Sequence, residues 1–329
     1  MNHVGHRPIV GGLLGIHALT SLHAGSGAAL GTVDLPIQRE QQNSWPTIPG
    51  SALKGILRDA GREETIKAGR QPNRDSADSD PNILALFGAS KKHANTLDES
   101  AGALAITDAR LLAFPIRSLK GAFAWVTCAA ALSRLSRDLM LVGRSVPGIE
   151  IANPPCDFHA IVAADSPLLI DGKYLQLDDE TYERIDASPS SVGNWIGAAL
   201  LPELPEYVST TARLAKHLVV VSDSDFTHIA KYSTEVTARI GLNYETKTVK
   251  DGALFYQEFV PTEAIFYSVA LVNDSRLTNK DPANKKQPAM ELLKYFADRI
   301  CASNILQIGG DETTGKGLCS IRLWIGDQT

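Results

Sequence analysis

HAGSGAALGTVDLPIQREQQNSWPTIPGSALKGILR, residues 23–58, is the stretch on which the reading of this chain turns. Gly25, Gly27 and Gly31 permit close approach of backbone to a ligand, and residues 24–43 show neither helical nor strand periodicity. Asp34 stands alone between Val33 and Leu35, followed by Pro36. Pro49 and Gly50 then break the chain, Ser51 can cap, and Leu53, Ile56, Leu57 and Ala60 repeat at helical spacing. Lys54 and Arg58, four apart, project from one flank of that short helix. A second glycine-rich stretch, GGDETTGKG at residues 309–317, packs glycines around Lys316. The two stretches are expected to meet in space.

Outward from this stretch the elements fall in order. Residues 9–22 read as a first strand with Leu13, Ile16, Ala18 and Leu22 as core candidates. Residues 61–81 are polar and turn-rich and predict a mobile loop. Apolar character returns at residues 84–88, and residues 103–114 form another expected strand. A long helix is expected after Pro115, where Leu119, Ala122, Phe123, Val126 and Ala130 keep helical spacing. Its opening, PIRSLKGAF, echoes PGSALKGIL of the first helix. Further on, residues 218–221 are a brief β-branched run, and residues 235–260 have hairpin character with Asp251 and Gly252 as the turn. Strands at residues 265–272 and 317–325 flank a helix at residues 290–301. This order predicts an α+β fold with a mostly antiparallel sheet covered by helices on one face, and a ferredoxin-like or RRM-like core fits it.

Composition narrows the class. The chain of 329 residues is 44% hydrophobic and 21% charged, enough to bury a substantial core and against global disorder. The apolar N-terminal stretch holds three glycines and leads straight into patterned sequence, and no apolar run is long enough to span a bilayer, so a cytoplasmic protein without a membrane partner is expected. Cys128, Cys156, Cys301 and Cys319 show no CxxC spacing and read as reduced thiols, and Cys156 with His159 gives only half of a zinc ligand set. Net charge is −5, but residues 165–206 hold nine acids against two bases. The remainder is thus mildly basic at +2, which leaves anionic partners open and marks the acidic segment as a surface insertion facing outward.

Residues 310–316 nearly match a phosphate-loop pattern, yet Gly317 replaces the hydroxyl residue that would hold Mg²⁺, and a strand rather than a long helix follows. A glycine turn whose backbone N–H groups and single lysine grip a phosphate backbone survives that objection, as does a plain tight turn. A lone loop aspartate such as Asp34 is usually a turn or capping residue, and a histidine such as His23 is usually structural. Their company, a cationic helix start beside glycine loops, is a phosphate-gripping arrangement.

HAGSG, GTVDLPIQRE, IPGSALKGILR, LLAFPIRSLKGAFAWVTC and LQIGGDETTGKG, in that order, resemble the RAMP superfamily of CRISPR proteins. More closely they resemble the repeated backbone subunit of the type III-B (Cmr) RNA-guided effector complex. The resemblance implies a single domain over residues 1–329, an RRM-like palm with insertions at about 61–81 and 165–206 and a hairpin thumb at about 243–258. It implies copies stacked head to tail with other Cmr subunits on a guide RNA, and cleavage of complementary target RNA at regular intervals. Asp34 takes the family's catalytic position, with His23 and Glu258 as supporting candidates and a divalent ion, Mg²⁺ or Mn²⁺, as cofactor; no tightly bound cofactor is expected. Guide contacts fall to Ser26, Gly27, Arg39, Ser51, Lys54, Arg58, Gly309, Gly310, Gly315, Lys316 and Gly317, all to backbone, which suits a protein that must accept any guide sequence. The alternatives are a guide-binding subunit in which Asp34 is inert, and a guide-processing ribonuclease, which would carry a histidine near the terminal glycine loop.

Overall fold

A computed structural model of the protein describes residues 10–29, 31–89, 101–146, 148–243, 245–246, 248–277 and 286–326. Ile9 of the expected first strand, and Tyr244 and Lys247 of the expected thumb, lie outside them. The first strand, β1 (Val10–Ala18), explains the layering. Leu14, Ile16 and Ala18 enter one buried cluster with Phe114, Phe226, Phe266 and Phe296, while Leu13 enters a second with Trp125, Leu135, Ile196 and Tyr267. Apolar residues on both faces of one strand mean a sheet covered on both sides, not on one as the pattern suggested.

The chain continues through β2 (Thr47–Ile48), α1 (Gly50–Lys67), α2 (Arg74–Ala77), α3 (Pro81–Phe87), β3 (Leu104–Ile106), β4 (Ala109–Arg117), β5 (Phe123–Cys128) and α4 (Ala129–Leu141). Next come β6 (His159–Val162), β7 (Tyr174–Leu177), β8 (Glu180–Ile185), α5 (Ser190–Leu200), α6 (Val208–His217), β9 (Leu218–Val221) and α7 (Asp223–Tyr232). β10 (Glu235–Leu242), β11 (Val249–Phe259), β12 (Ile265–Val272), α8 (Ala289–Tyr295), β13 (Ile305–Gln307) and β14 (Leu318–Trp324) complete it. One large sheet runs in the order β13-β14-β1-β12-β4-β5-β9-β6-β8-β7, with β2 on β4 and β3 on β12. Its pairs are antiparallel apart from β5 with β9 and β6 with β8. β10 and β11 form a separate antiparallel pair. The fold is α+β with a large, mainly antiparallel sheet.

Four expectations are corrected. Residues 61–81 are not a loop: α1 runs on to Lys67, and the polar residues after it are caps. Asn73 accepts from Ser76 N–H in a capping box, and Asp80 accepts from Asn82 N–H at 2.9 Å with Pro81 in the first turn of α3. No long helix follows Pro115, which lies inside β4 opposite Trp125 of β5; Gly121 and Ala122, both at φ 71°, turn the chain between them. The helical spacing of Val126 and its neighbours was fortuitous, and their β-branched and aromatic character decided the outcome.

Asp251 and Gly252 sit within β11, and the hairpin turns instead at residues 243–248, where Asn243 Oδ1 accepts from Glu245 N–H at 3.0 Å. The acidic segment is not a detached insertion. It supplies β7, β8 and α5, and α5 presses so closely on β1 that a Cβ at Gly15 would lie 2.2 Å from the Leu200 carbonyl oxygen. Its acids do face outward: Glu183 is half-buried and the other eight are exposed.

Candidate functional site

The end of β11, residues Tyr256, Gln257, Glu258 and Phe259, gathers the segments that the sequence singled out. Beyond β1 the chain stays beside this strand, with Leu22 and Val260 exchanging N–H to O=C bonds at 2.9 and 2.8 Å. Residues 24–26 then pair with 36–38: Gln38 N–H donates to Ala24 O at 2.7 Å and Ser26 N–H to Pro36 O at 3.0 Å. The intervening loop carries Gly27 at φ 95°, a conformation that suits glycine. Both Ser26 and Gly27 are exposed.

Asp34 lies where this loop returns. Its Oδ2 accepts the Tyr256 N–H at 2.7 Å, Leu35 N–H donates to Tyr256 O at 3.0 Å, and Glu258 N–H donates to Leu35 O at 3.0 Å. The aspartate is therefore held against the free edge of β11 by a main-chain donor, and Oδ1 has no hydrogen-bond partner among the described residues. Half-buried and facing the root of an exposed hairpin, it can accept a proton or share a cation with a substrate phosphate.

Glu258 is buried, 7% exposed, and both its oxygens are taken. Oε1 accepts from Arg39 at 2.6 Å and Thr234 at 2.7 Å, and Oε2 from Ile37 N–H at 3.1 Å. It fixes the strand that carries Asp34 and offers no free oxygen to a substrate, so it acts here as a positioning residue. His23 Nδ1–H donates to Glu258 O at 2.7 Å, and its ring lies 5.6 Å from that of Phe259. That contact leaves Nε2 beside Gly25, where a Cβ would approach it to 2.6 Å.

The terminal glycine loop does meet the first loop. Gly310 N–H donates to His23 O at 2.9 Å and Gly317 N–H to Ser21 O at 2.9 Å. Gly309 (φ 85°) has no room for a side chain, since a Cβ would stand 2.2 Å from His23 O. Asp311 clasps the hairpin root, accepting from Arg239 at 2.5 Å and from Gln257 Nε2 at 2.6 Å. Burial alone would raise its carboxyl, but these hydrogen bonds win and hold it below the usual carboxylate range. The Lys316 ammonium lies 5.0 Å from the Phe259 ring centre, with no carboxylate paired to it among the described residues. Gly315 (φ 73°) and the half-buried Lys316 thus leave a cation beside His23 and β11.

The other expected guide contacts are elsewhere or already engaged. Arg39 reaches Ser44 O at 2.6 Å and Ala230 O at 3.0 Å besides Glu258, so its guanidinium is spent inside the protein. Lys54 donates to Leu104 O at 2.7 Å, and burial, with Arg58 and Arg276 nearby, pulls its ammonium below the ordinary value. Arg58 donates to Gly88 O at 2.8 Å and pairs with Asp78 at 3.2 Å. Ser51 is exposed and caps nothing; the Asp108 carboxylate instead receives the Gly50 N–H at 2.7 Å. Arg39, Lys54 and Arg58 thus each hold part of the fold, and Ser51, Lys54 and Arg58 lie on α1, which is longer than expected and packs against α2, α3 and β3. Sequence reasoning passed over Tyr256, Gln257, Arg239 and Asp311, whose partners are distant in sequence.

Among the described residues no three His, Cys, Asp or Glu side chains converge to hold a metal ion. Asp34 fits a divalent cation only as a single carboxylate ligand whose remaining coordination comes from RNA phosphate and water. Cys156 Sγ lies 3.0 Å from His159 Nδ1 without further ligands.

The model of the RAMP superfamily matches residues 16–320, and the chain belongs to that superfamily. The CRISPR system Cmr endoribonuclease Cmr4 of Pyrococcus furiosus is 34% identical over 313 residues, covering 94% of this chain and 95% of the relative. The CRISPR system CMR subunit Cmr4 of Saccharolobus solfataricus is 28% identical over 335 residues, covering 95% and 96%. The crystal structure of oligomeric Cmr4 from Pyrococcus furiosus superposes with a TM-score of 0.67 at 28% identity, covering 96% of this chain and 99% of that one. A chain of the Type III-B Cmr-beta complex bound to cognate target RNA, 21% identical over 97% of this chain and 98% of its own, shares the fold with a TM-score of 0.67.

Proposed function

We propose that this protein is a repeated backbone subunit of a type III-B CRISPR effector complex, acting in the cytoplasm, where it holds guide RNA and cuts complementary target RNA at regular intervals. The observation that carries the reading is Asp34, fastened by one oxygen to the root of an exposed hairpin, with no hydrogen-bond partner for its other oxygen among the described residues. The large sheet acts as an RRM-like palm and β10–β11 as the thumb that interrupts pairing between guide and target. Copies stack head to tail, alongside other Cmr subunits. The relative named a Cmr endoribonuclease supports the assignment of RNA cleavage.

A kinked nucleotide beside the hairpin brings its ribose 2′-hydroxyl into line with the adjacent phosphodiester, and alignment supplies much of the rate. Asp34 takes the hydroxyl proton as the 2′-oxygen forms its bond to phosphorus and the 5′-oxygen leaves, with a water molecule protonating the leaving oxygen, giving a cyclic phosphate and a 5′-hydroxyl. Lys316 and the N–H groups of the glycine loop hold backbone phosphate and leave base edges free. Alternatively, Asp34 together with substrate would hold a divalent ion, Mg²⁺ or Mn²⁺, which would supply charge stabilisation in place of the proton transfer to Asp34.

The test assembles the complex with guide RNA and matched target and compares native protein with Asp34→Ala, with and without Mg²⁺ or Mn²⁺. Regular cuts are expected with native protein and the ion, and none with the variant, while guide RNA is retained by both. Cuts that persist in the variant sink the role of Asp34. Failure of native protein to retain guide RNA sinks the assignment itself.

A further inference from the structure

A cavity of about 530 Å³ opens between α7 and the β7–β8 hairpin, and none of its described lining residues belongs to β11. Asp157, Asp178, Asp179, Glu180 and Asp225 line it, and among its described lining residues His228 is the only base. On the rim Arg117 pairs with Asp178 at 3.1 Å and Asp179 at 3.4 Å. Deeper in, His228 is the only base near Asp225 among the described lining residues. Asp225 is 8% exposed, accepts from Phe158 N–H at 2.9 Å and has the Ser222 hydroxyl as a side-chain hydrogen-bond partner, both of them neutral donors. Burial, with the Asp157 carboxylate close by, pushes its carboxyl up, as expected of undercompensated negative charge.

Tyr182 supplies an independent sign of a missing ligand. It is 3% exposed, yet its hydroxyl has no hydrogen-bond partner among the described residues. The hydroxyl is not one of the sealed orphan atoms of the fold, so it opens onto the cavity that Tyr182 lines. A buried tyrosine hydroxyl ordinarily finds a partner. Phe158, with its ring 5.9 Å from that of Tyr182, and Tyr232 give the cavity aromatic walls.

The carboxylates share a cavity without converging, since no three of them could hold one metal ion. A point charge therefore does not fit, whereas an extended ligand with several separated positive charges does. A volume of about 530 Å³ is the size of a small-molecule site. We propose that this cavity binds a linear aliphatic polyamine, its ammonium groups meeting Asp225 with Tyr182 at one end and the Asp179–Glu180 turn at the other, its methylenes lying along the aromatic walls. Ammonium donors match both carboxylates and the Tyr182 oxygen, and the rings add cation–π attraction.

Calorimetric titration of the full chain with spermidine at fixed ionic strength tests this, with butylamine and MgCl₂ as controls. One saturable site for spermidine is expected, and neither control should fill it. Asp225→Asn should weaken binding at least about tenfold and Glu180→Gln about threefold. Glu180 is exposed, so its replacement keeps the test valid where Asp225→Asn disturbs the Phe158 loop. Absence of saturable binding, loss of binding at equal charge from Mg²⁺, or unchanged affinity in Glu180→Gln overturns the proposal. A diarginine peptide that binds more tightly than spermidine overturns it as well, and assigns the cavity to a protein partner.

Discussion

Replacing Arg39 with alanine strands a buried carboxylate, and the cost can be worked from the contacts. The guanidinium holds Glu258 at 2.6 Å and also satisfies the Ser44 and Ala230 carbonyls, while the two charged side chains keep only 19% and 9% of their exposure. Removing one partner of a buried pair costs about 3–5 kcal/mol, because the other charge stays desolvated. The residual exposure of Arg39 lets water in once the side chain is gone and moves the value to the lower end, about 3 kcal/mol. For a chain of this size that lowers the melting temperature by about 4 °C. Glu258→Gln in the Arg39→Ala background removes the stranded charge and should recover about 1 kcal/mol or more. Scanning calorimetry of the four proteins of this cycle gives the answer. A loss below about 1 kcal/mol in Arg39→Ala, or no recovery in the double variant, would refute the view that this pair pins the segment carrying Asp34.

Lys316→Ala should lower the salt slope of RNA affinity by about 0.7 in filter binding, whereas Arg58→Ala should leave the slope alone and reduce stability, since Arg58 holds Gly88 and Asp78 and not phosphate. Gly309→Ala places a Cβ against the His23 carbonyl at a φ of 85°, and urea unfolding should register about 1–3 kcal/mol lost. Asp311 has a folded-state pKa below its unfolded value, so its stabilisation is complete above about pH 4 and disappears as pH falls through the folded value. Asp311→Asn should therefore flatten the acid limb of stability below about pH 4 in a pH series of melting temperatures, and an unchanged limb counts against the Arg239 clasp.

Strand identity was legible where a short apolar run left no alternative, as for β9 and β12, and β1 was legible from a loose alternation of apolar with small or polar residues. The meeting of the two glycine loops was legible too, since both lack core pattern. What failed had a common physical source. Polar residues at 61–81 have two uses, solvated loop and helix cap, and only tertiary placement of α2 and α3 chooses between them. Cations have two uses as well. Arg39, Lys54 and Arg58 look in sequence like a phosphate-gripping set, and each also donates to a main-chain carbonyl, a use the sequence did not show. Lys316 differs in facing the Phe259 ring, with no carboxylate paired to it among the described residues.

The root of β11 explains why one aspartate can be placed without a cluster of acids around it. Four successive residues are claimed by two segments, residues 23–39 and the terminal glycine loop: the Tyr256 main chain by Asp34, Gln257 by Asp311, Glu258 by Arg39 and Ile37, Phe259 by His23 and Lys316. Alternation along a strand sends Gln257 and Glu258 to opposite faces, so the two loops are clamped from both sides of one strand. The bond to Asp34 is made by the Tyr256 N–H and does not depend on that residue's side chain. Side chains on the exposed face of the hairpin can therefore vary to suit an RNA partner while the carboxylate stays in register. A hairpin that moves carries its aspartate with it, which keeps any displaced nucleotide and the group proposed to cut beside it in fixed relation.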